Sequence, residues 1–203
     1  MAHRRLYDYP RSGNCYKVRL LLALLGLDYQ RVPVDIAAGE AQDPAYLALN
    51  PRGQVPLLAD VDGTRVRDSM AILVYLARRY GDAGWLPTES VGEARVMEWL
   101  AVAGDELLYG LARARQARLR GRPFDLEQCQ AEGRAGLDTL ETRLAGAEWL
   151  VGEAATIADI ACYPYVALAD EAGLSLAPYP GIRAWLRRVE GLPGWRPLLD
   201  PAD

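Results

Sequence analysis

Three short stretches of this chain bring together residue types that can do chemistry. The first is Pro10-Arg11-Ser12-Gly13-Asn14-Cys15. It lies between a β-type run and a helical pattern, so its hydroxyl and thiol stand at a helix N-terminus, where an anion gains about 0.3–1 kcal/mol. Ser12 or Cys15 can there face a ligand thiolate, or Cys15 can itself be a nucleophile, since thiols at helix N-termini ionise below their ordinary ~8.5. A plainer role fits the same residues: Ser12 or Asn14 caps the helix and Cys15 packs beneath it. The second stretch is Val55-Pro56, with the proline at the very start of a strand, where a missing N–H is tolerated. A cis bond there turns the N–H and C=O of Val55 out of the sheet, free to pair with an extended peptide as an added strand. The third is Asp68-Ser69. Ser69 is a natural N-cap with a carboxylate beside it, while the same helix end could hold a ligand carboxylate and Asp68 a ligand ammonium. Taken alone, the pair reads as a cap.

The remaining composition removes other chemistries. The single histidine, His3, stands almost at the N-terminus, a poor base for a Ser-His-Asp or Cys-His hydrolase. Cys15, Cys129 and Cys162 are far apart with no CxxC pair, which does not suit a zinc site and reads as reduced thiols of the cytoplasm. The net charge of −4 over 203 residues argues against a nucleic-acid binder, which carries a basic footprint. The longest apolar run, Leu20 to Leu25 followed by Gly26 and Leu27, is too short to span a bilayer. Asp8, Arg11, Ser12, Asn14 and Lys17 separate it from the basic start, so it reads as a buried helix and not as an export signal.

The elements that must position these residues follow from periodicity. Arg4 to Tyr9 is a short β-type run. Val18, Leu21, Leu22 and Leu25 then mark one face of a helix closed by Gly26. Tyr29 to Ile36 reads as a second strand and Asp43 to Leu49 as weakly helical. Two alternating runs flank Asp62-Gly63, which predicts a hairpin with a type I′ turn. Ser69 opens a helix with Ile72, Leu73, Leu76 and Tyr80 on one face, closed by Gly81. The order β-α-β-(α)-β-β-α is the thioredoxin arrangement, with the first two strands parallel. Beyond the linker GDAGWLPTES the pattern is helical throughout, over about Ser90 to Arg120, Leu126 to Ala145, Ile157 to Ala172 and Ile182 to Val189. Charge divides at the same place. Residues 1–81 hold 11 Lys and Arg against 8 Asp and Glu; residues 82–203 hold 12 against 19. A mildly basic α/β domain over 1–81 and an acidic all-helical domain over 88–203 are the expectation.

In this order and spacing, LYDYPRSGNCYKVRLLLALLGL, LNPRGQVPLL, RDSMAILVYLARRYG and Thr156-Ile157-Ala158-Asp159 resemble the cytosolic glutathione transferases over nearly the whole chain. The last motif resembles the family's helix-capping box. The resemblance implies that Ser12 is the catalytic hydroxyl of a Ser-type, theta- or zeta-like bacterial member, donating to the glutathione thiolate. It implies a glutathione site of Asn14, Cys15, Gln42, Gln54, Val55, Pro56, Asp68 and Ser69, with Val55 pairing with the cysteinyl unit and Asp68-Ser69 holding the γ-glutamyl end. Between Ser12 and Cys15, the serine is expected to carry the chemistry and the cysteine to pack. Tyr7 is the rival hydroxyl; classes that use a tyrosine place it where this chain has Asp8, so Tyr7 is expected to pack against a neighbour. The family often has Lys or His where this chain has Gly53, leaving Arg52, Gln42 or Gln54 to meet the glycine carboxylate. Trp99, Tyr109 and Arg113 fall on the helix that walls the electrophile pocket in the family, with Tyr109 and Arg113 its candidate lining.

The implied activity is activation of glutathione, a cosubstrate with no metal, for attack on a soft electrophile in the cytoplasm. A homodimer is expected, the basic half of one subunit meeting the acidic half of the other, with no nucleic acid or membrane as partner. Two alternatives stand beside it. One is a glutathione-dependent isomerase or dehalogenase of the maleylacetoacetate isomerase kind, whose Ser-Ser-Cys loop is here Ser-Gly-Asn-Cys. The other is a non-catalytic glutathione transferase-like binding protein.

Overall fold

The computed structural model describes residues 3–199. It divides into two units, one made of the chain up to Tyr80 together with Pro193 onward, the other of Gly81–Leu192.

The first unit runs β1 (Arg5–Asp8), α1 (Gly13–Leu24), β2 (Gln30–Pro33), a 3₁₀ turn (Glu40–Gln42), α2 (Pro44–Leu47), β3 (Leu57–Ala59), β4 (Arg65–Arg67) and α3 (Ser69–Tyr80). The sheet order is β2-β1-β3-β4, with β1 parallel to β2 and the other pairs antiparallel. This is the thioredoxin-like arrangement. Strand alternation sorts the side chains. Leu6 and Leu58, opposite each other in the register, are fully buried with Leu21 of α1 and Ile72 and Leu76 of α3. Tyr7 points the other way, and its ring meets that of Tyr46 in α2 at 5.9 Å, within a second cluster of Val34, Ala41 and Val55.

The hairpin is not type I′. Gly63 has φ 87°, but Asp62 does not have a positive φ. Gly63 N–H donates to the Asp60 carbonyl (3.0 Å) and Asp60 N–H to the Thr64 carbonyl (2.8 Å). These bonds close a three-residue loop, a type I turn followed by a left-handed glycine. The Asp62 carboxylate accepts from Thr64 N–H (2.9 Å), which holds Asp62 in the ordinary turn region.

The second unit is all-helical: α4 (Ser90–Gly104), a π-helical segment (Glu106–Ala112), α5 (Arg113–Arg120), α6 (Leu126–Leu144), α7 (Ile157–Ala167) and α8 (Pro180–Glu190). The helix expected over 90–120 is broken at Asp105 (φ −113°, ψ −92°), just after Gly104, a weak helix former. The wider π turns bring Gly110 against α6 so closely that a Cβ on it would lie 2.5 Å from the Cα of Gly133. The helix expected to reach Ala172 stops at Ala167; Pro164 has already removed one of its backbone donors. At the start of α7, Thr156 Oγ1 accepts from Ala158 N–H (3.2 Å) and the Asp159 carboxylate accepts from Thr156 N–H (2.9 Å), closing a capping box. The fully buried Asp159 also accepts from Leu150 N–H (3.1 Å) and Trp185 Nε1–H (2.9 Å). No helix among the described residues is long and apolar enough to cross a membrane.

Residues 193–199 depart from the expected division. They belong to the first unit. Gly194 (φ 91°) passes so near α1 that a Cβ would lie 3.0 Å from the Ala23 carbonyl oxygen, and the Tyr16 hydroxyl donates to the Arg196 carbonyl (2.5 Å).

Candidate active site

The sheet register gathers the three chemically equipped stretches. Tyr7 pairs with Leu57, and Leu57 with Arg67. The loop leaving β1, the residues entering β3 and those leaving β4 therefore emerge at one end of the sheet. They carry Ser12, Val55-Pro56 and Asp68-Ser69.

Ser12 is the N-cap of α1. Its backbone is extended (φ −82°, ψ 119°), its Oγ accepts from Cys15 N–H (3.3 Å), and Ser12 N–H donates to the Tyr9 carbonyl (3.0 Å). The oxygen accepts one bond at a helix N-terminus, and the hydroxyl also hydrogen-bonds the Cys15 thiol, which draws that thiol's pKa down against burial. Asn14 Oδ1 is buried with no hydrogen-bond partner among the described residues. Cys15 is not a surface thiol. It is fully buried, its Sγ accepts from Tyr9 N–H (3.5 Å), and burial, aided by the Asp8 charge, pushes the thiol up to about 12. At neutral pH it is a protonated core residue, packed beneath the Ser12 loop.

The Val55–Pro56 bond is cis. The residue before it is anchored by two side chains that sequence reasoning passed over. The Gln54 carbonyl accepts from Asn50 Nδ2 (2.6 Å) and from the Tyr46 hydroxyl (2.7 Å), while Asn50 Oδ1 accepts from Arg52 N–H (3.2 Å). The signal for Asn50 is Asn50-Pro51, a turn-opening dipeptide directly before the motif. Gln54 and Gln42 are exposed, and Gln42 Nε2 donates to the Gly53 carbonyl (3.3 Å). Gly53 has φ 56°, and a Cβ there would lie 2.9 Å from the Ala41 carbonyl oxygen and closer still to Gln42 Nε2. Glycine at 53 is thus dictated by the backbone and by this close approach. The neighbouring Arg52 reaches toward Asp68, with Nη1 to Oδ2 at 3.8 Å, both side chains largely in solvent.

The cap of α3 is Asp68 and not Ser69. Asp68 Oδ1 accepts from Met70 N–H (2.9 Å) and, more loosely, Ala71 N–H (3.5 Å), and its carbonyl accepts from Ile72 N–H (3.0 Å). Asp68 does this at φ 75°, the left-handed region that Asp tolerates through its short polar side chain. Ser69 becomes the first helical residue and is buried.

In the helical unit the Arg113 guanidinium lies over the Tyr109 ring (4.0 Å) and near the Phe124 ring (5.1 Å). Tyr109 is exposed, and Trp99 is half-buried with its carbonyl near Cys162 Sγ (3.6 Å). All three cysteines are buried thiols outside any disulfide, and no group of three or more His, Cys, Asp or Glu among the described residues could hold a metal ion.

Comparison with known proteins places this arrangement. Residues 11–79 match the glutathione S-transferase N-terminal domain and residues 114–188 the C-terminal domain. The chain is 37% identical over 186 residues to a maleylacetoacetate isomerase of Pseudomonas aeruginosa, covering 88% of this chain and 87% of that protein. It is 32% identical over 197 residues to the disulfide-bond oxidoreductase YfcG of Escherichia coli, covering 93% and 90%. A solved glutathione S-transferase from Pseudomonas fluorescens superposes with a TM-score of 0.91 at 40% identity, over 97% of this chain and 99% of that one. With both domain models matched in order and three relatives aligned almost end to end, the chain is an enzyme of the glutathione S-transferase family.

Proposed function

We propose that the first unit binds glutathione and holds its sulfur as a thiolate against Ser12, for addition to a soft electrophilic small molecule. The observation that carries this reading is the Ser12 hydroxyl, the N-cap of α1, at the same sheet end as the cis Val55–Pro56 bond and the Asp68 carboxylate. Val55 would pair by its backbone with the cysteinyl unit. The Ser69 end of α3 would take the γ-glutamyl carboxylate and Asp68 its ammonium. Asn14, Gln42 and Gln54 would complete the polar rim. The electrophile is expected to meet Tyr109 and Arg113 of the helical unit. The nucleophile belongs to the cosubstrate, so the protein's contribution is positioning and stabilisation of negative charge.

A specific observation favours a second reading, glutathione-dependent cis-trans isomerisation. Several relatives, including those from Pseudomonas aeruginosa and Rhizobium meliloti, are maleylacetoacetate isomerases. The same thiolate would add to an activated double bond, allow rotation and leave again. A homodimer in the cytoplasm, with the basic half of one subunit against the acidic half of the other, completes the proposal. Retention on immobilised glutathione, followed by parallel assays with chlorodinitrobenzene and maleylacetoacetate, tests it. Turnover of the first supports conjugation and turnover of the second isomerisation. Retention without either leaves a binding protein.

A further inference from the structure

Beneath the Ser12 loop lies a buried charge cluster that the proposed chemistry does not use. Asp8, at the end of β1, is fully buried, and its carboxylate accepts from Arg19 Nη1 (2.7 Å) and from Arg31 Nε. One carboxylate is therefore shared between two guanidiniums. The remaining donors of Arg19, itself only 4% exposed, turn to neutral acceptors: Nη2 donates to the Pro10 carbonyl (2.9 Å) and to the Leu198 carbonyl (2.8 Å). Pro10 stands two residues before Ser12. Leu198 belongs to the C-terminal segment, which Gly194 and the Tyr16–Arg196 bond already press against α1.

We propose that the C-terminal segment 193–199 is a positioning element for the Ser12 loop and that Arg19 is the residue through which it acts. A guanidinium is a rigid planar fork, so its orientation is fixed by the acceptors at all of its edges together. Asp8 sets one edge. Leu198 and Pro10 share the opposite nitrogen, so the tail carbonyl helps to hold the nitrogen that holds the loop. Withdrawing Leu198 leaves a buried donor short of a partner, and the fork turns or admits water. Pro10 then loses its fixed partner, and Ser12 Oγ shifts relative to a bound sulfur. Lysine cannot replace this arrangement, because its single ammonium can pair with Asp8 but cannot span the two carbonyls. The proposal rests on Ser12 facing the glutathione thiolate.

The test compares the full chain with three variants: a chain ending at Arg196, which keeps an acceptor for Tyr16 but lacks Leu198; Arg19→Lys; and Ser12→Ala. Each is measured for thermal unfolding, for KM and kcat, and for the ultraviolet absorbance of thiolate at neutral pH with saturating glutathione. The expected result is that the shortened chain and Arg19→Lys bind glutathione with unchanged KM. Both should lose thiolate absorbance, and kcat should fall roughly tenfold to a hundredfold, the scale of a misplaced catalytic group. Wild-type kcat and absorbance in both, while Ser12→Ala loses them, overturn the tail's role and leave the Ser12 reading intact. Wild-type behaviour of Ser12→Ala overturns that reading and the positioning role with it. If the shortened chain does not fold, Arg19→Lys decides between the same outcomes.

Discussion

Asp68 holds the first turn of α3 through Met70, its Oδ1 accepting that residue's N–H at 2.9 Å from a backbone at φ 75°. One side chain thus serves two masters: it caps the helix and, in the proposed function, meets the glutathione ammonium. The two roles separate by substitution. Asp68→Asn keeps a capping oxygen and tolerance of the left-handed region but removes the charge. It should weaken glutathione binding by about 1.5–3 kcal/mol, the size of a hydrogen bond to a charged group, with the melting temperature unchanged. Asp68→Ala should lose both affinity and about 1 kcal/mol of stability. Calorimetry and thermal unfolding of the pair check this, and equal affinity in Asp68→Asn and wild type would reduce Asp68 to a cap.

Cys15 offers a contrast to Ser12 three residues earlier. With its thiol pushed up to about 12 by burial, essentially no thiolate exists at neutral pH, and thiolate is the reactive form. Cys15→Ala should keep turnover per folded molecule and cost on the order of 1 kcal/mol for the lost buried sulfur. Mass spectrometry during turnover should find no glutathione on Cys15.

The sequence made the order of elements legible because each is punctuated locally: Gly26 after α1, Pro56 before β3, Asp62-Gly63 in the hairpin, Thr156 to Asp159 at α7. The features it hid are made by partners distant in the chain or by side chains acting on backbone. Tyr16 and Arg196, whose bond fixes the C-terminal segment to the first unit, are 180 residues apart. No local pattern in 193–199 announces that return. Asn50 and Tyr46 act on the Gln54 carbonyl, a role that composition cannot display. At Asp68-Ser69 both residue types are good caps, and which one takes the role depends on a single φ angle. The break at Asp105 and the close approach of Gly110 to Gly133 lie within a pattern that reads as continuously helical, because the partner glycine stands on a different helix.

Asp60 ties β3 to α3 and gives the first unit an acid limit. Its buried carboxylate accepts from Arg4 Nε (3.0 Å) and from the hydroxyls of Tyr75 and Tyr80 (2.6 Å each). Burial pushes the carboxyl up, but the two hydroxyls, Val61 N–H and the Arg4 charge outweigh it and hold it below the usual 3.8. A value lower in the folded than in the unfolded chain stabilises at pH above 3.8, and this stability is lost as pH falls through the folded value. Asp60→Asn should cost on the order of 3 kcal/mol at neutral pH, with the gap to wild type closing in acid. Denaturant titrations across pH check this; a gap constant through the acid range would contradict it.

Asp159 is a folding residue and not a catalytic one. Burial pushes its carboxyl up against the hydrogen bonds from Thr156, Trp185 and Leu150 that draw it down. Asp159→Ala leaves those donors buried without an acceptor and should cost about 3 kcal/mol or more, with activity per folded molecule kept. Loss of turnover in a variant of wild-type stability would show that the residue does something else.

The central claim, that the Ser12 hydroxyl donates to a glutathione thiolate, is tested most directly by the pH dependence of kcat/KM in wild type and Ser12→Ala. A hydroxyl that donates to the ionised sulfur lowers its pKa. The substitution should therefore raise the apparent pKa and cut the rate at neutral pH, with the loss shrinking as pH rises. An unchanged profile in Ser12→Ala, or abolished activity in Cys15→Ala, would contradict it.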